Sequence, residues 1–172
     1  MLTRLVEDLR TLAHTESGTL ALQKESTDIA ILLNDTAGSF SADAAELKVA
    51  LDVGAASDLP LVEVDPLRVR EVLTNLISNA LRHTPAGGRV AVSASATPTT
   101  IVVTVTDTGA GIPAADLPKI FDRFYKGRTS SGSGLGLTIA RNLVVAHGGE
   151  IRADSVEGKG TNVTVTLPLA SR

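Results

Sequence analysis

The run Val69-Arg70-Glu71-Val72-Leu73-Thr74-Asn75-Leu76-Ile77-Ser78-Asn79-Ala80-Leu81-Arg82-His83 carries two superimposed helical patterns. At about 100° per residue, Val69, Val72, Leu73, Leu76, Ile77 and Ala80 share one side of a helix. Asp65 supplies an N-cap and Pro66 a first helical position, so the helix starts there. Thr84-Pro85 and Gly87-Gly88 close it. A second stripe carries Glu71, Asn75, Asn79 and His83 at every fourth position, with Arg82 beside them. Asparagine is a mediocre helix former, so propensity does not explain two of them one turn apart in mid-helix. A solvated polar face would carry the same residues.

Two alternating, β-branched runs follow, Arg89 to Ala96 and Ile101 to Thr106, and predict adjacent antiparallel strands. Upstream, Val49 to Val53 and Leu61 to Val64 read as strands. Asp28 to Leu47 reads as one helix with Ile29, Leu32, Leu33, Ala37 and Phe40 on one face. Downstream, a short helix is expected over Ala114 to Ile120 and a longer one over Leu135 to Ala146, ended by Gly148-Gly149. Strands near Glu150 to Ser155 and Asn162 to Leu167 flank Gly158-Lys159-Gly160. Strands and helices mix without strict alternation, which predicts an α+β layered domain rather than a parallel doubly wound sheet. At the N-terminus, Leu2, Leu5, Val6, Leu9 and Leu12 form an amphipathic stripe that ends around Glu16-Ser17-Gly18 and needs a partner.

The chain has 172 residues, 43% of them hydrophobic and 20% charged, the balance of a folded protein. Aromatics make up 2%, so the core must be aliphatic. A net charge of -3 gives no footprint for nucleic acid. With no cysteine there is neither a disulfide nor a thiolate metal site, and His14, His83 and His147 lack zinc-like spacing.

Three segments carry chemistry. Asp107-Thr108-Gly109-Ala110-Gly111-Ile112 leaves a strand with two glycines that let backbone approach a ligand. An aspartate there can accept from an exocyclic amine; a plain turn uses the same residues. Gly132-Ser133-Gly134-Leu135-Gly136-Leu137 opens a helix, so its free N–H groups suit phosphate oxygens. It is neither a Walker loop nor a full dinucleotide fingerprint. Between them, Ile120-Phe121-Asp122-Arg123-Phe124-Tyr125-Lys126-Gly127-Arg128 reads as a flap with an aromatic base and a tip bearing Lys126 and Arg128, or as an ordinary surface loop. Asn75 and Asn79 offer hard carboxamide oxygens suited to Mg²⁺ and amides suited to phosphate.

Together these segments resemble the catalytic domain of sensor histidine kinases, within the ATPase group that also holds gyrase, mismatch-repair ATPases and a heat-shock chaperone. Glu71 to Pro85 resembles the asparagine box, Asp107 to Ile112 the first glycine box and Ile120 to Tyr125 the phenylalanine box. Gly132 to Leu137 resembles the second glycine box, and Gly158-Lys159-Gly160-Thr161 the last turn. The resemblance implies a two-layer α/β sandwich, a mixed, mostly antiparallel sheet covered by helices on one face. It implies ATP and Mg²⁺ as ligands: Asn79 and Asn75 for metal and phosphates, Arg82 and His83 for phosphates, Asp107 for the adenine amine. Gly109, Gly111, Ile112 and Thr161 would support the purine. Phe124, Tyr125, Lys126, Arg128, Gly132, Ser133, Gly134, Leu135, Gly136 and Leu137 would form the lid and its hinge.

By the same resemblance, residues 1–18 are the tail of a second dimerisation helix and 19–172 the ATP-binding domain. The γ-phosphate would pass to a histidine on a dimerisation domain upstream, then to a response-regulator aspartate. The fragment is expected to be monomeric, and its parent a homodimer anchored in the bacterial inner membrane with this domain in the cytoplasm. His14 is not expected to be the acceptor, since the usual Arg-Thr-Pro does not follow it. His147 is expected to be a structural helix-end residue. The interval between the phenylalanine box and the second glycine box is short. Hydrolytic relatives would place Glu where this chain has Asn75. The resemblance also leaves room for a serine kinase of the same fold and for a non-catalytic nucleotide-binding module.

Overall fold

The computed structural model describes residues 2–55, 58–127 and 133–169. Helix α1 (Leu2–Glu16) is followed by strand β1 (Glu25–Thr27), helices α2 (Ile29–Gly38) and α3 (Ser41–Leu47), and strands β2 (Ala50–Ala55) and β3 (Val62–Val64). Then come α4 (Pro66–His83), β4 (Arg89–Ala96), β5 (Thr100–Asp107), α5 (Gly136–Ala146), β6 (Glu150–Val156) and β7 (Gly160–Pro168). Five strands form one sheet in the order β2-β4-β5-β7-β6, with β2 parallel to β4 and the other pairs antiparallel. β1 and β3 pair separately. This is the layered, mostly antiparallel α+β architecture expected from the sequence.

Strand alternation places one row of each strand inward. Val90 and Val92 of β4, Ile101, Val103 and Val105 of β5, and Val163, Val165 and Leu167 of β7 are buried. They meet Ile29, Leu32 and Leu33 of α2, the apolar stripe of α4, and Ile139, Leu143 and Val144 of α5 in one cluster. The opposite rows carry Ser93, Ser95, Thr104, Thr106, Thr164 and Thr166, so that face stays polar. Burying each large aliphatic side chain stabilises the fold by roughly 1.5–3 kcal/mol.

α4 is built as its residues dictate. The Asp65 carboxylate accepts from the Arg68 N–H at 3.1 Å, and Pro66 opens the first turn. His83 is its last residue. α1 packs against α5, with Leu12 buried in the common core and the Asn142 amide donating to Thr15 Oγ1 at 3.2 Å.

Three local expectations are corrected. The helix expected over Asp28 to Leu47 is two helices, α2 and α3. Gly38 and Ser39 weaken the helical run, and Ser39 Oγ donates to the Thr36 carbonyl at 2.6 Å, bending the chain so that Phe40 packs on the core. The helix expected over Ala114 to Ile120 is a single 3-10 turn at Leu117–Lys119, because Pro113 and Pro118 cannot donate to an α-helical ladder. β1 is an added strand whose register with β3 pairs Glu25 with Val64 and Thr27 with Val62.

Candidate functional site

The site is assembled where the C-terminal half of α4, the loop after β5, the start of α5 and the β6–β7 turn converge. Its tightest joint is glycine-dependent. Gly111 has φ +67, and a Cβ there would sit 2.1 Å from the Val156 carbonyl oxygen. Gly160 has φ +96, and its Cβ would meet the Asp107 carbonyl oxygen at 1.9 Å. Only glycine fits such contacts. The Gly158 N–H donates to the Ala110 carbonyl at 2.6 Å, and the Ala110 N–H donates to the His83 carbonyl at 3.4 Å. The loop from Asp107 to Ile112 is thereby clamped between α4 and the β6–β7 turn.

That clamp positions Asp107. Its Oδ1 accepts from the Gly109 N–H at 2.8 Å and from the Thr161 N–H at 3.3 Å. Burial pushes the carboxyl above the usual range, opposed by those two N–H bonds and by the nearby His83. His83 is shifted the other way: burial lowers its pKa first and Arg82 adds to this, while Asp107 works against both. The pair is therefore a buried acceptor beside an imidazole held toward its neutral form.

At the other end lies Asn75. It is 7% exposed, and its Nδ2 is a buried donor with no partner among the described residues. A buried N–H left unpaired costs about 1–3 kcal/mol, so its retention calls for an acceptor that a ligand can supply. Gly136, at the start of α5, lies beside it: a Cβ there would be 3.4 Å from Asn75 Oδ1. Asn79, one turn later, is half-buried. Glu71, on the same stripe in sequence, is instead tied to Arg68 at 2.8 Å.

The flap residues are stitched at their base. The Phe124 N–H donates to the Gly134 carbonyl at 3.0 Å, Thr138 Oγ1 donates to the Phe121 carbonyl at 3.0 Å, and the Leu135 N–H donates to Ser133 Oγ at 3.3 Å. Phe121 and Leu137 pack on the core and Leu135 is fully buried, as a hinge requires. Phe124 departs from the expected aromatic anchor: it is 61% exposed and has φ +58, a left-handed conformation that is strained for a bulky side chain. Tyr125 is half-buried and Lys126 exposed. Arg128 and Gly132 lie outside the described residues.

An open groove lined by Asp107, Ser155, Gly160 and Thr161 also takes in Thr106, Asp154 and Asn162, and neither Asn75 nor Asn79 borders it. The groove thus takes in the acceptor end alone, and the carboxamides lie on α4, whose last residue His83 adjoins the glycine loop. Ser155 belongs to none of the sequence motifs, yet its Oγ accepts from the Ile112 N–H at 2.8 Å and touches Thr161 Oγ1 at 2.9 Å. The signal for it in the sequence is its place in the inward row of β6 after Ile151 and Ala153, shortly before the glycine turn. His14 is exposed at the end of α1, 3.2 Å from Thr19 Oγ1, and His147 is buried at the end of α5, as a structural residue would be.

An acceptor held at a strand end, an unpaired amide donor beyond a glycine loop, and a helix N-terminus beside that donor define a site for an elongated ligand with an amine at one end and anionic oxygens at the other. Residues 64–171 match the family described as histidine kinase-, DNA gyrase B-, and HSP90-like ATPase. The chain is 40% identical over 176 residues to the sensor histidine kinase WalK of Bacillus subtilis (strain 168), covering 96% of this chain and 28% of that protein. It is 36% identical over 173 residues to the signal transduction histidine-protein kinase BaeS of Escherichia coli (strain K12), covering 98% and 37%. Among solved structures, full-length ShkA in complex with AMPPNP superposes with a TM-score of 0.90 at 31% identity, over 99% of this chain and 36% of that one. The Acinetobacter baumannii histidine kinase AdeS gives 0.84 at 28% identity, over 99% and 79%. The chain belongs to this ATPase family, and both curated relatives are named as histidine kinases. It spans well under half the length of those two curated relatives.

Proposed function

We propose that this chain is the ATP-binding catalytic domain of a two-component sensor histidine kinase. In this reading it presents the γ-phosphate of ATP to a histidine on a dimerisation domain outside the chain, for relay to a response-regulator aspartate. The single observation that carries the reading is the orphaned Asn75 amide beside the α5 N-terminus, on the same helix as His83, which adjoins the buried Asp107 acceptor.

Asp107 accepts from the adenine amine, with Thr161, Gly111 and Ile112 framing the base. Asn75 Nδ2 donates to a phosphate oxygen, which satisfies the donor that the protein alone leaves unpaired. Arg82, Lys126 and Arg128 offset negative charge around the transferred group, and the N–H groups at the start of α5 do the same. His83, held toward neutrality, can donate or accept without adding charge.

The residues present fit Mg²⁺. Among the described residues no group of three or more His, Cys, Asp or Glu could hold a metal. A metal that enters with the nucleotide needs only a hard oxygen such as Asn79 Oδ1, phosphate oxygens and water. Bound there, Mg²⁺ would neutralise phosphate charge. Asn75 is the weaker ligand of the two, since its unpaired atom is a donor.

Residues 1–18 are then the end of a dimerisation helix and 19–172 the catalytic domain. The parent is a homodimer and this fragment a monomer. Among the described residues no helix is long and apolar enough to cross a membrane. Membrane anchoring of the parent, with this domain on the cytoplasmic side, belongs to the same reading.

The test is incubation with γ-labelled ATP, alone and with a supplied dimerisation fragment. The chain is expected to bind Mg-ATP by calorimetry, to leave itself unlabelled and to label the supplied histidine. Binding heat that survives both Asp107→Ala and Asn79→Ala, or stoichiometric label on His14, would sink the proposal.

A further inference from the structure

Ser155 sits on β6 in the inward row, half-buried and opposite Thr161 of β7. Its Oγ has three partners: the Ile112 N–H at 2.8 Å, the Gly160 carbonyl at 2.9 Å and Thr161 Oγ1 at 2.9 Å. A hydroxyl has one proton and two lone pairs. The Ile112 N–H can only donate and the Gly160 carbonyl can only accept. Ser155 therefore spends its proton on Gly160 and one lone pair on Ile112, leaving its second lone pair for the Thr161 hydroxyl. All three contacts form together only if Thr161 donates to Ser155.

The consequence falls on Thr161. With its one proton directed at Ser155, its oxygen offers only lone pairs to anything else. The neighbouring Asp107 carboxylate is also acceptor-only when ionised, and its Oδ1 is already taken by the Gly109 and Thr161 N–H groups. We propose that Ser155 is a specificity-determining residue: it orients the Thr161 hydroxyl so that this wall of the purine site accepts hydrogen bonds and donates none. Facing the C6 substituent, such a wall takes a 6-amino group, which donates there, and disfavours a 6-oxo group, which brings a lone pair toward lone pairs. This rests on the nucleotide-binding reading above and adds to it a residue that touches no ligand itself. Ser155 is a positioning residue, acting through Thr161.

The experiment measures affinity for ATP and for inosine triphosphate, which differ in the exocyclic group at C6 and in its ring proton, by calorimetry with Mg²⁺. Wild type is expected to prefer ATP. Ser155→Ala frees the Thr161 proton, so the ATP-to-ITP preference should fall by about ten-fold, the worth of one misdirected hydrogen bond. Ser155→Thr should restore it. In a Thr161→Val background the Ser155→Ala change should leave the ratio unmoved. Because Ser155→Ala also leaves the Ile112 N–H and the Gly160 carbonyl without a partner, the ratio and not the absolute affinity is the readout. Should that variant fail to fold, Ser155→Cys, which keeps a similar shape but is a poor acceptor, is read the same way. Equal losses for both nucleotides, with the ratio intact, overturn the role of Ser155 while leaving ATP binding standing. A wild-type chain that binds neither nucleotide overturns both.

Discussion

The main-chain N–H of Asp65 donates to Nε2 of His147 at 3.1 Å, joining the N-cap of α4 to the C-terminal end of α5. Nδ1 of the same ring lies 2.7 Å from the Leu143 carbonyl, which can only accept, so the proton is on Nδ1 and the ring is neutral. Burial lowers the His147 pKa from 6.5; the Leu143 bond opposes this, Lys24 reinforces it and Asp65 opposes it. The unfolded ring thus takes a proton at a higher pH than the folded one. Stability from this group is complete above pH 6.5 and is lost as pH falls from there through the folded value. Thermal melts between pH 7.5 and 5 (about the span in which a histidine titrates) should show a declining Tm. His83, also lowered, contributes in the same sense. His147→Phe should lower the Tm at neutral pH, because the Asp65 N–H loses its acceptor, and should flatten the slope; an unchanged slope would refute the assignment.

Asp107→Asn separates folding from recognition. An Asn Oδ1 can still accept from the Gly109 and Thr161 N–H groups. Burial raises the Asp107 pKa, so this group's contribution favours folding below 3.8 and is lost as pH rises through the folded value. At neutral pH the variant, which buries no charge, is expected to be as stable as wild type or more so. ATP affinity should nevertheless drop at least about ten-fold, since an amide donor now confronts the adenine amine. Scanning calorimetry and titration calorimetry on the same sample check both halves.

The Gly160→Ala and Gly158→Ala variants form a matched pair. Both glycines have positive φ, +96 and +80, but Gly160 faces the Asp107 carbonyl whereas Gly158 faces open space. Gly158→Ala should cost about 1 kcal/mol, the strain of the left-handed conformation alone. Gly160→Ala should cost at least about 3 kcal/mol, since backbone must move as well. Urea denaturation reads the difference, and equal costs would show that the β6–β7 turn does not clamp Asp107.

Asn75→Leu removes the orphaned donor and keeps a similar shape. Apo stability is expected to hold or to rise by about 1 kcal/mol, against a loss of Mg-ATP binding. Melts with and without nucleotide should therefore show a wild-type shift on adding Mg-ATP and none in the variant. A variant that melts well below wild type without ligand would mean that the amide has a partner within the fold.

Leu12 tests how α1 belongs to the domain. It is 4% exposed and lies in the same core cluster as α5. Leu12→Ala is expected to destabilise the whole domain by about 2–5 kcal/mol in a single transition. A change confined to loss of helical signal, with the main transition unmoved, would make α1 a separate appendage.

The α4 stripe shows what the amino-acid order settled unaided. Asp65, Pro66 and the spacing of Val69, Val72, Leu73 and Leu76 dictate where a helix begins and which side it buries, because capping and 3.6-residue periodicity are local physics. The alternation of β4 and β5 is equally local, whereas the glycine requirement at Gly111 comes from the close approach of the Val156 carbonyl as well as from its positive φ. The split of α2 from α3 is harder to read, since Gly38, Ser39 and Phe40 are only weakly unfavourable in a helix and the break depends on where Phe40 packs. The pairing of β1 with β3 is hidden because three residues carry too little pattern. Tertiary structure alone could decide the rest. Ser155 gains a role only when β7 brings Thr161 beside it, and Asn75 becomes an unpaired donor only once the core closes around it. Those properties arise from contacts between residues distant in the chain or from burial, and no local pattern encodes either.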